Sequence, residues 1–215
     1  MKACWFEVFG AAQGVLQQGD WPTPEPGPGE VLVQLQTTGV NPSDVKKRAG
    51  AFPDLLEAGP VIPHSDGAGV VTAVGEGVLP SRVGERVFVY QAQYGRQLGT
   101  AAEFVALDSA RAPVLPDNTS FEVGACIGIP IMTAHRCVFA DGPVADQLVL
   151  VTGGAGRVGH YAIQWAHRAG ARVIATASND QDAAACREAG AEAVVNHRKP
   201  EWGQAVLDLT EGQKV

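Results

Sequence analysis

The chain has 215 residues, 46% of them apolar and 18% charged, which allows a sizeable core and excludes extensive disorder. Its net charge of −7 argues against nucleic acid as the main partner, and the basic run Lys46-Lys47-Arg48 is too short to follow a phosphate backbone. No apolar run approaches the roughly 20 residues that cross a bilayer, so no membrane partner is expected, and the charges at Lys2 and Glu7 come too early for a signal peptide.

Residues 2–9 read as a first strand, and Pro22 to Gly29 as a turn-rich connection that no helix can cross. Residues 30–40 follow as a strand with apolar/polar alternation. Asn41-Pro42-Ser43-Asp44 then opens a short helix, in which Ser43 or Asp44 is a possible cap and Asp44 pairs with Arg48 one turn on. Further strands are expected over residues 69–75, 83–90 and 99–105. Short strands at intervals of about 8–12 residues predict a small barrel-like β domain. Eleven of the fourteen prolines lie at or before Pro116, after which helices begin near Ser120. The domain boundary is therefore expected between residues 122 and 123. The cysteines, Cys4, Cys126, Cys137 and Cys186, form no C-x-x-C pair and read as reduced thiols in a cytoplasmic protein.

The most informative stretch runs from Gln147 to Ser178. Leu148-Val149-Leu150-Val151 is an unbroken apolar strand, and Gly154-Ala155-Gly156-Arg157-Val158-Gly159 fits G-x-G-x-x-G. A helix with Ala162, Ile163, Trp165 and Ala166 at helical spacing follows, closed by Gly170, and a second buried strand begins at Arg172. This is the first βαβ of a dinucleotide-binding fold, with the diphosphate expected at the helix N-terminus. A helix over 180–189, a strand over 193–196 and a helix over 202–209 complete the pattern. Only three strands of the roughly six in a doubly wound sheet are visible. The third is expected at an edge, and the strand entering the glycine loop is expected to lack a neighbour on its other side, as in a partial enzyme.

Several segments together resemble the zinc-free medium-chain dehydrogenases/reductases of the quinone oxidoreductase (zeta-crystallin-like) group. They are Gly39-Val40-Asn41-Pro42-Ser43-Asp44, Asp66-Gly67-Ala68-Gly69-Val70-Val71, Val83-Gly84-Glu85-Arg86-Val87, Gly99-Thr100-Ala101-Ala102-Glu103-Phe104, Thr133-Ala134 and the glycine loop through Gln164-Trp165-Ala166. The resemblance implies an α/β chain: a GroES-like β-barrel domain (1–122), then a Rossmann doubly wound parallel sheet (123–215), the latter incomplete. It also implies an active site between the two and a homodimer when full length. Zinc-dependent relatives carry Cys at the position of Asn41, His at that of Ser65 and a four-cysteine lobe near residues 90–98. None of these is present, so no metal is expected. His64 beside Ser65 reads as a loop histidine.

Without a Lewis acid, a quinone is the undemanding acceptor, because its reduced oxygen is phenolic. Hydride delivery plus one hydrogen-bond donor near the developing oxyanion suffices. Asn41 is the leading candidate for that donor and for a cofactor contact, with a helix-cap role as the structural alternative. Lys46, where relatives often carry Tyr, is the second catalytic candidate. By resemblance Thr133 contacts the nicotinamide side, and Gly154, Ala155, Gly156, Arg157, Val158 and Gly159 the diphosphate. The second strand ends in Thr176-Ala177-Ser178-Asn179, with no acidic residue where NAD-specific folds place one. With Ser178, Asn179, His197 and Arg198 as candidate contacts to a 2′-phosphate, NADPH is the expected cofactor. Against this, Asp180 and Asp182 lie close in sequence, Asp182 about where some relatives have a lysine, so the expected preference is about 10- to 100-fold, about 1.4–2.8 kcal/mol. The expected activity is NADPH-dependent quinone reduction. An enone (alkenal) double-bond reductase and a nucleotide-binding, crystallin-like structural protein are the alternatives.

Overall fold

Residues 1–213 are described by the computed structural model. Antiparallel strands dominate the first 129 residues. β1 (Lys2–Trp5), the short helix α1 (Ala12–Val15) and β2 (Gln17–Asp20) make a two-stranded ribbon. β3 (Glu30–Gly39) leads into helix α2 (Pro42–Arg48), and β4 (Asp66–Val74), β5 (Arg86–Val89) and β6 (Phe104–Asp108) complete a four-stranded sheet in the order β5-β4-β3-β6. Alternation along β3 sends Val31 and Val33 into a core shared with Val71, Val87, Val89, Val105 and Leu107. Single bridges, Ala3 to Ala102 and Phe6 to Val61, tie β1 to the loops around this sheet.

The strand expected over 99–105 begins only at Phe104, because the preceding residues pair elsewhere. Gly99 and Thr100 donate to the carbonyls of Ile62 and His64. The first strand stops at Trp5 rather than running to residue 9. α1 and β2 had no sequence signal: AQGV and QQGD each contain a glycine and bury almost nothing.

α3 (Phe121–Gly124) caps this region, with the Ser120 hydroxyl accepting from the Val123 N–H at 3.3 Å. α4 (Gly128–Phe139) follows. The chain divides into two compact units at Ile129/Pro130, in the first turn of α4. That lies seven residues beyond the boundary read from composition. α3 is helical yet packs on β3, β4 and β5, and the Ile129 N–H is bonded to Asp66 of β4. Helical character thus begins before the second unit does.

In the second unit β7 (Leu148–Val151), α5 (Arg157–Arg168), β8 (Arg172–Ala177), α6 (Asp180–Glu188), β9 (Ala193–Asn196) and α7 (Trp202–Leu209) alternate, and the strands form a parallel sheet ordered β7-β8-β9. Both faces of β8 are covered, which explains its continuous apolar run. Val173, Ala175 and Ala177 pack with Ile163 and Ala166 of α5 and Cys186 of α6, whereas Ile174 packs with Val206 of α7. Gly170 ends α5 with φ +85°. β9 and β7 are the two edges, as expected, and a concavity of about 770 Å³ runs along β7 between Val144, Val149 and the start of α5. Among the described residues no helix is long and apolar enough to cross a membrane.

Candidate nucleotide site and a buried polar cluster

The turn from β7 into α5 is made by backbone. Gly153, one residue ahead of the motif, supplies the turn with φ +63°. A Cβ on Gly154 would stand 2.8–2.9 Å from Cys186 Sγ, Ala175 Cβ and Ile163 Cδ1, so this glycine lets loop, strand and helices close together. A Cβ on Gly159 would overlap the Gly153 carbonyl oxygen. Thr176 of β8 pins the loop, with Gly154 N–H donating to its carbonyl at 2.8 Å and Gly153 N–H to its hydroxyl at 3.0 Å. Gly156 is the N-cap of α5 and has no side chain to cap the first turn, and a helix N-terminus of this kind favours an anion.

Beside the loop lies a second concavity of about 340 Å³, lined by Gly153, Ala155, Gly156, Thr176, Ala177, Ser178, Asp182 and His197. His197 Nδ1 lies 3.2 Å from the Thr176 hydroxyl. Ser178 Oγ and Asn179 Nδ2 donate to Asp182 Oδ2 at 3.0 and 2.9 Å, and the Asp182 N–H donates back to Asn179 Oδ1 at 2.9 Å. Of the candidates for this end of the nucleotide, Ser178 and His197 are thus brought together with Ala155 and Gly156. Arg198 is exposed outside the lining, its N–H bonded to Asn196 Oδ1, and Arg157, Val158 and Gly159 line the larger concavity along β7. Thr133 is exposed on α4 and lines neither concavity.

The first unit holds a different kind of cluster. Asn41 is the N-cap of α2, with Pro42 at the first helical position. Its N–H donates to Asp44 Oδ2 at 2.7 Å. Its side-chain Nδ2 donates to Asp66 Oδ2 at 2.8 Å, and Asp66 also accepts from the Ile129 N–H. An ionised carboxylate only accepts, so Asp66 turns the amide nitrogen of Asn41 toward itself. Asp66 is 1% exposed, and burial raises its carboxyl to about 6 despite the Asn41 and Ile129 donors, with the charge of Asp44 adding to the rise. A Cβ on Gly128 would overlap Asp66 Oδ1, so the approach of α4 to this carboxylate requires glycine.

Around this pair sit Asp44, raised by burial against the pull of the Asn41 N–H and the charges of His64 and Lys47, and Lys47, lowered by burial. Lys47 donates to Gln93 Oε1 at 2.5 Å. His64, at φ +75° and lowered by burial, bonds the Thr38 hydroxyl at 3.0 Å through Nδ1. Lys46 is exposed. The expected Asp44–Arg48 pair is not formed: Asp44 is taken by the Asn41 N–H, and Arg48 donates to the Gly10 carbonyl.

Residues 27–117 match the family model of the alcohol dehydrogenase GroES-like domain, and residues 158–215 that of zinc-binding dehydrogenases. The quinone oxidoreductase of Rattus norvegicus is 33% identical over 203 residues, covering 94% of this chain and 60% of its own length. Among solved structures, an NAD-dependent alcohol dehydrogenase superposes with a TM-score of 0.87 at 32% identity, over 100% of this chain and 69% of that one. The chain belongs to the medium-chain dehydrogenase/reductase family. The Escherichia coli quinone oxidoreductase complexed with NADPH superposes with a TM-score of 0.83 at 28% identity, over 100% of this chain and 64% of that one. The chain spans about 60% of the length of the curated relatives it matches.

Zinc, implied by the name of the second family model, does not fit the residues at the ligand positions of its zinc-dependent members. Asn41 turns an amide nitrogen inward to Asp66, Ser65 offers a hydroxyl, and His64 Nδ1 is engaged by Thr38. The described residues contain no group of three or more His, Cys, Asp or Glu placed to hold a metal ion. Asp66, Lys47, Thr176 and Gly153 were missed as site residues. An acid at the head of the strand DGAGVVTAV was the one available signal, for Asp66.

Proposed function

We propose that this chain carries the catalytic and nucleotide-binding parts of an NADPH-dependent oxidoreductase that reduces quinones by hydride transfer without zinc. The observation that carries the reading is the glycine loop at the N-terminus of α5, with no side-chain cap, beside a concavity of about 340 Å³. Support also comes from the quinone oxidoreductases among its relatives and from the NADPH bound to the Escherichia coli member. When bound, the nicotinamide supplies the hydride. The chain's own part is to hold the diphosphate on the α5 N-terminus and to present the Asn41 amide, oriented by Asp66, as a non-titrating donor to the oxygen on which charge develops. Four free cysteines fit action in the cytoplasm.

The test is oxidation of NADPH with 1,4-benzoquinone, with an enone and with no acceptor. Quinone-dependent consumption is expected. Faster turnover of the enone would make it a double-bond reductase, and binding without turnover a structural protein. Elemental analysis should find no stoichiometric zinc; about one tightly held zinc per chain would contradict the metal-free reading.

A further inference from the structure

The pocket beside the glycine loop carries one charged group that its expected ligand does not call for. Resting on the nucleotide reading above, this pocket takes the adenosine ribose, and its 2′ position decides between the phosphorylated and the plain dinucleotide. Ser178 and Asn179 stand at the end of β8, where hydroxyl and amide donors would serve a 2′-phosphate. Both donate to Asp182 Oδ2 instead, and the Asp182 N–H closes the loop back onto Asn179. Asp182 itself lines the pocket, half-buried, in the first turn of α6.

We propose that Asp182 is the residue that limits discrimination in favour of the 2′-phosphate. It engages the two side chains that would bind that phosphate, and it presents a carboxylate to the place where the phosphate would sit. In NAD-selective folds an acidic residue at the end of the second strand accepts from the ribose hydroxyls and repels a phosphate. Here the strand end is neutral, and the acid reaches back from the helix four residues later. Among the described residues His197 is the one basic side chain lining the pocket, and Arg198, which would add charge, lies outside it. One imidazole faces one carboxylate, so neither form of the ribose is strongly excluded. The discrimination therefore falls at or below the lower end of the 10- to 100-fold range expected from the sequence.

Calorimetric titration with 2′,5′-ADP and with 5′-AMP tests this without relying on turnover. Wild type should favour 2′,5′-ADP by about tenfold or less. Asp182→Asn, which removes the charge and keeps the shape, should raise the ratio of 2′,5′-ADP to 5′-AMP affinity about tenfold, equivalent to about 1.4 kcal/mol. Asp182→Ala, which also releases Ser178 and Asn179, should gain at least as much. Should either variant fold poorly, loss of binding to both nucleotides exposes that, and the other variant decides. An unchanged ratio of the two nucleotides in Asp182→Asn, with both still binding, overturns the role of Asp182. Failure of wild type to bind either nucleotide overturns the nucleotide site itself.

Discussion

The glycine loop after β7 and the cluster around Asn41 are built from different materials. The loop is made of backbone: Gly153 turns it, Gly154 and Gly159 let it approach its neighbours, and Thr176 holds it with one carbonyl and one hydroxyl. The cluster is made of buried side chains from α2, β4 and the loop before β4, joined to the first turn of α4 by a main-chain N–H. Absence of side chains makes the first site, so its failures should be steric and indifferent to pH. Desolvation balanced against hydrogen bonds makes the second, so it should respond to protons.

The sharpest break in that comparison lies at Asp66. Its folded value of about 6 is above the 3.8 of an unburied aspartate. Between about pH 4 and pH 6 the native protein therefore holds a proton on Asp66 that the unfolded chain has released. Stability contributed by this group falls as pH rises through that window, by roughly 3 kcal/mol in all, and is level above it. Asp66→Asn removes the slope. Urea unfolding of both proteins from pH 4 to 7.5 should give free energies whose difference changes by roughly that amount, because Asp44, His64 and Lys47 titrate in both. Parallel curves would mean that Asp66 does not titrate in this window.

Gly154→Ala probes the other region. Its methyl group meets three side-chain atoms at 2.8–2.9 Å, an overpacking that costs about 1–3 kcal/mol. The unfolding midpoint should drop by several degrees at every pH, with weaker binding of 2′,5′-ADP. A loss that varied between pH 4 and 7.5 would erase the distinction between the two regions. The smallest effect is expected at Lys46, which is exposed. Lys46→Ala should change kcat/KM for quinone by no more than about twofold, in keeping with substitutions at open surface. A tenfold fall in kcat with unchanged nucleotide affinity would make Lys46 the proton donor.

The same contrast explains what could be read from the sequence. The βαβ from Leu148 to Ala177 announced itself because glycines and apolar periodicity are local signals, and the strand β9 and helix α7 followed at their expected residues. Asn41 stood out through its motif, and its capping role emerged together with its bond to Asp66. Asp66, Lys47 and Gln93 escaped notice because their significance lies in burial among residues distant in sequence, which no spacing encodes. Ser178 and Asn179 were legible as donors at a strand end. That both donate to Asp182 depends on side-chain rotamers, and only the folded chain shows it.

The central claim is that the Asn41 amide acts on the acceptor while the glycine loop holds the nucleotide. Steady-state kcat/KM for 1,4-benzoquinone with NADPH, measured for wild type and Asn41→Ala beside the affinity of each for 2′,5′-ADP, tests it most directly. A fall in kcat/KM of about 10- to 100-fold, about 1.4–2.8 kcal/mol of transition-state stabilisation, with nucleotide affinity unchanged, is the predicted result. Unchanged kcat/KM in the variant would contradict the account.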